Sequence, residues 1–251
     1  MSVVLVTGGT GTLGMKLVPI LREGGHDVRV LSRRPGAGTH RGDLVTGQGV
    51  PEAVAGAELV VHAASDTRRF GRTDLLQTLR LLSTVREVRH LLYVSIVGID
   101  AVPFAYYRKK LACEEAIAAS PVPYTIVRAT QFHELAGMVL KRAERAPAAP
   151  LPLDLPMQTV AAGEVAARVA ATLESAPAGR APDFGGPEVL TVRQMAETWQ
   201  EYRHRPQSLL NLRWPGRVYR ALRAGRHTCP EHADGRQTWA EYVASLAAEH
   251  S

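Results

Sequence analysis

Tyr106 and Lys110 stand four positions apart in PFAYYRKKLACEEA, shortly after Ser95 in LLYVSIVGID. On a helix, residues at this spacing share a face, one turn from each other. An ammonium beside a phenol favours the phenolate and lowers its pKa, making the tyrosine a proton donor or acceptor usable near neutral pH. A serine hydroxyl at the preceding strand end is placed to hydrogen-bond the same substrate oxygen. Together these residues read as proton-transfer chemistry. Aromatic and basic pairs at this spacing also occur on ordinary amphipathic helices, and Tyr107 and Lys109 offer the same groups out of phase, so helix phase decides between them. The chain has lysine only at Lys16, Lys109, Lys110 and Lys141, and two of these fall here.

A second constellation opens the chain. VVLVT runs directly into GGTGTLG, with Gly8, Gly11 and Gly14 at three-residue intervals and Thr10, Thr12 and Leu13 between them, and a helical pattern follows. Between a first strand and a first helix, such glycines allow a tight turn, a close approach to a pyrophosphate and close packing of helix on strand. The free N–H groups of the helix start attract the anion. The turn is expected to hold a dinucleotide; the alternative is a turn that only closes the unit.

The second strand, DVRVLSRRP, ends in Ser32, Arg33 and Arg34 rather than in the carboxylate that binds a ribose 2′-hydroxyl. Arginine there accommodates a 2′-phosphate, so NADP (NADPH) is the expected cofactor. The alternative is that both arginines are merely solvated. Further on, RGDL places Asp43, followed by Leu44, where a carboxylate can meet the adenine amino group. VHAAS ends the fourth strand in Ala63, Ala64 and Ser65, small enough for the cofactor to pass close by.

These residues need a scaffold, and the sequence supplies one. Apolar β-branched runs alternate with helical patterns: VVLVT, LGMKLVPILREGG, DVRVLSR, ELVVHAA, LLQTLRLLSTVREV, HLLYVSI, YYRKKLACEEAIAAS and PYTIVRA. Continuous apolar strands joined by helices predict an α/β fold with a doubly wound parallel sheet. Pro19 inside the first helix predicts a kink or a solvent-facing break. From about residue 145 the character changes at ERAPAAPLPLDLP. Helical patterns on GEVAARVAATLES, TVRQMAETWQEY and TWAEYVASLAAE then form a smaller substrate-side region, dividing the chain into 1–145 and 146–251.

The 251 residues are 45% hydrophobic and 22% charged, an ordinary globular composition. The net charge of +6 is nearly all arginine in an alanine- and glycine-rich chain, which fits a GC-rich gene as well as an anion-binding face. Arginines recur with Trp214 and Tyr219 in LRWPGRVYRALRAGRH, but a solvated basic face explains them better than nucleic acid. No stretch approaches the roughly eighteen apolar residues of a membrane span, and the N-terminus lacks the basic flank of a signal peptide. A cytoplasmic location is expected. Cys113 and Cys229 show no metal-ligand spacing, so no metal is expected.

Taken together, these motifs resemble the short-chain dehydrogenase/reductase superfamily, in its atypical NmrA-like or sugar-epimerase-like branch. TGGTGTLG is similar to that branch's TGxxGxxG turn, GDL to its adenine-side aspartate, and Tyr106 to Lys110 to its YxxxK pair. The resemblance covers about residues 1–135 and implies a Rossmann fold and hydride transfer from a nicotinamide to a carbonyl carbon. It also implies roles: Tyr106 donates the proton, Ser95 polarises the oxygen, and Lys110 holds the nicotinamide ribose and lowers the tyrosine pKa.

The substrate is expected to be a small ketone, quinone or polyketide-type molecule, in keeping with secondary metabolism, bound by a monomer or homodimer. Cover for it is expected from Phe104 beside Pro103 and from RATQFHELAGM, with Gln131 and Phe132; His133 reads as a packed residue. The rival readings are an NmrA-like sensor that binds the dinucleotide without turnover, and an epimerase or dehydratase on the same scaffold.

Overall fold

The computed structural model describes residues 1–34, 36 and 38–248. β1 (Val3–Thr7) is almost wholly buried, which is why VVLVT shows no polar alternation: a strand covered on both faces has no water side. α1 (Thr12–Glu23) buries Leu13, Gly14, Leu17, Val18 and Leu21 at helical spacing. Pro19 lies on its exposed side and the helix continues past it, so the carbonyl that loses its donor faces water.

β2 (Asp27–Ser32), β3 (Thr39–Arg41), α2 (Val50–Val54), β4 (Leu59–His62), α3 (Asp74–Thr84), β5 (His90–Ile96), α4 (Ala105–Ala118) and β6 (Tyr124–Ala129) follow. They are succeeded by α5 (His133–Ala143), β7 (Ala148–Leu151), β8 (Pro156–Met157), α6 (Ala162–Glu174) and β9 (Gly179–Arg180). The chain then forms β10 (Leu190–Thr191), α7 (Val192–Arg203), β11 (Ser208–Asn211), α8 (Arg217–Arg223) and α9 (Trp239–Ala248). The helical pattern of TWAEYVASLAAE ends in Glu249, outside the described residues.

Seven strands form the central parallel sheet in the order β3-β2-β1-β4-β5-β6-β9, as the alternating pattern predicts. β1 is flanked by β2, with Val3 opposite Asp27, and by β4, with Val4 opposite Leu59. The strand order therefore reverses between β1 and β4. In open α/β sheets, ligands bind outside the carboxyl ends of the strands at such a reversal.

The chain divides into two units. The first comprises Met1–Ile96, Ala105–Arg128 and Val165–Pro182; the second comprises Val97–Phe104, Ala129–Glu164 and Asp183–Ser251. The expected division at 145/146 does not coincide with this one. Residues 129–145 group with the second unit, and 165–182 return to the first, because β9 pairs with β6 and extends the sheet by one strand. RATQFHELAGM, expected as cover for a pocket, is largely helix α5 of the second unit.

Apolar side chains of the sheet and its helices, among them Leu5, Leu31, Val60, Leu91 and Ile117, form the core of the first unit. The second unit has its own core, with Leu140, Leu151, Met195, Trp199, Trp239 and Val243 packed together. Trp199 and Trp239 stack there at 6.1 Å, and the buried Trp239 indole donates to the Met195 carbonyl at 3.0 Å.

Candidate active site

The turn after β1 is shaped so that only glycine fits at its critical points. Gly8 has φ +75°, and a Cβ there would stand 2.7 Å from the carbonyl carbon and oxygen of Ala63 and from the nitrogen of Ala64. At Gly14 a Cβ would lie 2.4 Å from the Gly8 oxygen and the Gly9 Cα, so α1 starts in contact with the turn. Gly9, which the spacing did not single out, packs against Val30 of β2, 2.6 Å from a built Cβ. Gly11 caps α1 with no side-chain hydrogen bond, so the first N–H groups of the helix, at Thr12 to Gly14, keep their capacity for an anion. Thr10, Gly11 and Thr12 are exposed, whereas the Leu13 side chain is in the core and only its backbone serves the turn. A cradle this tight, at the N-terminus of an uncapped helix, fits a pyrophosphate.

Thr7 at the end of β1 holds the neighbouring strand end in place. Its hydroxyl lies 2.7 Å from His62 Nδ1, and its backbone carbonyl accepts the Ala63 N–H at 3.1 Å. The other His62 nitrogen meets the Thr78 hydroxyl at 3.1 Å. Burial, and secondarily the charge of Lys110, lowers the His62 pKa to about 3, so the ring is neutral around pH 7. Ala63, Ala64 and Ser65 are thus fixed beside the glycine turn.

At the end of β2 the Ser32 hydroxyl accepts the Arg34 N–H at 3.1 Å, and Arg33 and Arg34 are exposed. Arg33 lines an open cavity of about 400 Å³ together with Arg41, Gly42, Asp43, Thr46 and Glu52. Asp43 Oδ1 accepts the Val45 N–H at 2.7 Å, so part of this carboxylate shapes its own loop, and Leu44 is buried in the core. Two guanidinium groups on one cavity suit a phosphate; Arg41 was not anticipated, because its approach to Arg33 depends on β3 pairing with β2.

Helix phase separates the two tyrosines of α4. Tyr107 is buried, while Tyr106 is half-buried, with its hydroxyl 3.1 Å from the Ser65 oxygen. Gly71, at φ +67°, lets the preceding loop close on the Tyr106 ring: a Cβ there would come within 2.8 Å of it. Ser65 donates in turn to Asp74 Oδ2 at 2.7 Å. Asp74 is a buried residue in the first turn of α3, and no motif in the sequence marked it.

Lys110 is also buried, but its ammonium donates to the Val94 carbonyl at 3.0 Å and lies 4.2 Å from the centre of the Tyr93 ring. The expected lowering of the tyrosine pKa by Lys110 is therefore not found. Burial pushes the Tyr106 phenol above its ordinary value, and the Asp74 charge adds to the rise. Lys109 turns instead to the Phe70 carbonyl at 3.1 Å. Ser95, at the end of β5, is 3% exposed and its hydroxyl has no hydrogen-bond partner among the described residues. Such a group is costly unless something else satisfies it, as a substrate oxygen can.

Phe104, Gln131 and Phe132 belong to the second unit. There the Gln131 carbonyl accepts the Val160 N–H at 2.9 Å, Phe132 caps α5, and Phe104 is exposed. His133 is fully buried, with one nitrogen 2.8 Å from the Thr159 hydroxyl and the other 3.0 Å from the Gln237 carbonyl, as a packed histidine should be. In the arginine-rich segment, Arg213 and Arg223 flank Asp154, which also accepts from the Tyr219 hydroxyl. No helix among the described residues is long and apolar enough to cross a membrane.

Comparison with known proteins agrees with this geometry. A family model described as NAD(P)H-binding matches residues 8–176. The (4-alkanoyl-5-oxo-2,5-dihydrofuran-3-yl)methyl phosphate reductase of Streptomyces griseus is 30% identical over 220 residues, covering 81% of this chain and 74% of that one. An NADPH-dependent quinone oxidoreductase from Escherichia coli, crystallised with NADPH, superposes with a TM-score of 0.82 at 17% identity, over 97% of this chain and 99% of that one. A short-chain dehydrogenase/reductase superfamily protein from Agrobacterium tumefaciens with bound NAD gives 0.78 at 18% identity, over 99% and 97%. With its glycine cradle at the β1/β4 reversal and a family match over most of its length, the chain belongs to the NAD(P)H-binding family.

Proposed function

We propose that this protein is an NADP-dependent reductase that acts on a carbonyl substrate of the ketone, quinone or polyketide type, with Tyr106 as the proton donor. One observation carries the reading. The glycine turn and the tyrosine converge on a single strand end, where Gly8 packs against Ala63 and Ala64 and the next residue, Ser65, is the hydrogen-bond partner of Tyr106. The printed activities of the Streptomyces griseus reductase and the Escherichia coli quinone oxidoreductase support it.

When bound, the reduced nicotinamide supplies a hydride to a carbonyl carbon. The chain's own residues do the rest. Backbone N–H groups from Thr12 to Gly14 hold the pyrophosphate, and Arg33, with Arg41 on the same cavity, holds the 2′-phosphate. Asp43 and Leu44 border the adenine side. Ser95 donates to the substrate oxygen and polarises the carbonyl, and Tyr106 delivers the proton that neutralises the alkoxide. Lys110, with ammonium hydrogens beyond the one given to Val94, holds the nicotinamide ribose.

The test is NADPH oxidation against a panel of quinones, ketones and β-keto esters, for the wild type beside Tyr106→Phe. Turnover that falls by about a hundredfold or more in the variant, with NADPH affinity retained, is the expected result. Turnover of nucleotide sugars alone would replace the reading with an epimerase. Tight NADPH binding with no turnover of any panel member would replace it with a sensor.

A further inference from the structure

Three groups on separate elements form a hydrogen-bonded chain whose direction is fixed by counting hydrogens. The Ser65 hydroxyl has one hydrogen and gives it to Asp74 Oδ2 at 2.7 Å. Asp74 Oδ1 accepts the Asp66 N–H at 2.7 Å. An ionised carboxylate has no hydrogen to return. The Ser65 oxygen therefore meets the Tyr106 hydroxyl, 3.1 Å away, as an acceptor, and the phenol is the donor.

Asp74 is a carboxylate at a buried helix position where an apolar side chain is usual. It is 2% exposed on the inward side of a helix that also buries Gln77, Thr78 and Leu81 while exposing Leu75, Leu76 and Leu79. Such an inversion of the usual amphipathic order costs burial on both counts. The first turn of α3 favours a carboxylate through its free N–H groups.

We propose that Asp74, acting through Ser65, is a positioning residue that keeps Tyr106 as a protonated donor and so biases the site toward reduction. This rests on the reading of Tyr106 as the proton donor. In reduction the tyrosine must hold a proton to give; in oxidation it must be a phenolate able to take one. A phenolate at Tyr106 would face a Ser65 oxygen whose hydrogen is already directed at Asp74, with a carboxylate behind it.

From α4, the Lys110 ammonium opposes the bias but turns to the Val94 carbonyl, Lys109 turns to the Phe70 carbonyl, and Cys113 is a buried thiol. Tyr93 faces Lys110 from β5, and His62 at the end of β4 is neutral near pH 7. The Asp66 carboxylate accepts the Thr73 hydroxyl at 3.2 Å. The Asp74 charge acts on the Tyr106 phenol in the same direction as burial.

The experiment is a pH titration of the full chain by carbon NMR with tyrosine labelled at Cζ, in which the Tyr106 signal is assigned by its loss in Tyr106→Phe. In the wild type the Tyr106 midpoint should lie above the free-tyrosine value of about 10. In Asp74→Asn it should fall by about one pH unit or more. An unchanged or higher midpoint in a folded Asp74→Asn protein overturns the proposal. If that variant does not fold, Asp74→Ser takes its place, and a wild-type midpoint at or below the free-tyrosine value overturns the proposal with no variant at all. The readout needs no turnover, so a failed reductase reading is told apart: the midpoint shifts as stated, yet Tyr106→Phe keeps full NADPH-oxidising activity.

Discussion

Gly8 and Ala63 meet backbone to backbone: at φ +75°, a Cβ on Gly8 would lie 2.7 Å from both the carbonyl carbon and the carbonyl oxygen of Ala63. Neither of these atoms belongs to a side chain that can move aside. The contact joins the cofactor cradle to the strand end that carries Ser65, so one methyl group tests both.

Gly8→Ala should cost about 2 kcal/mol of stability or more, from the left-handed backbone and the clash together. Dinucleotide binding should also be lost. Thermal melting with and without NADPH checks both, and a variant still stabilised by NADPH as the wild type is would remove the cradle assignment.

Arg33→Ala should weaken NADPH binding about tenfold or more and leave NADH binding nearly unchanged, because a charge-assisted contact to phosphate is lost and nothing else. Arg41→Ala should act in the same direction. Nicotinamide fluorescence titrations with both nucleotides decide this; equal loss for the two would mean that these arginines do not read a 2′-phosphate.

Stability should fall on acidification below about pH 6.5. His62 binds a proton at about 6.5 when unfolded but only at about 3 when folded, so its contribution is fully present above the unfolded value and is lost as the pH falls toward 3. At pH 5 the loss from this residue is on the order of 2 kcal/mol. Burial lowers the pKa of His90, His133 and His227 as well, with the same sign. Urea denaturation at pH 8 and pH 5 measures the sum, and equal stability at both would contradict it.

Arg128 and Glu114 form a pair in the first unit with side chains only 4% and 7% exposed, joined at 2.6 and 2.9 Å. Glu114→Ala removes the paired carboxylate from a buried guanidinium and should cost about 3–5 kcal/mol. The double change Glu114→Leu with Arg128→Met should recover most of that, since it removes both charges of the pair. Denaturant midpoints of the two proteins test the difference, and a double variant as unstable as the single would point to packing rather than charge.

The sequence alone determined the α/β class, the glycine turn and the cofactor family, because each rests on local regularities. A continuous apolar strand, a helical period and three glycines between them keep their meaning whatever the rest of the chain does. Locality does not show which face of α3 is inward: the structure turns Leu75, Leu76 and Leu79 to water. β9 was not legible for a related reason: it is two residues long, and only its pairing with β6 marks it as a strand.

Only the tertiary structure decided which groups surround the tyrosine. Ser65 and Tyr106 are 41 positions apart, and their meeting depends on how β4 and α4 are set against the sheet. The same packing directs Lys110 to the Val94 carbonyl and the Tyr93 ring, and brings Asp74 to Ser65. Spacing along one helix shows that two side chains share a face; it does not show what that face meets, and the charges and hydrogen bonds that set a pKa come from there.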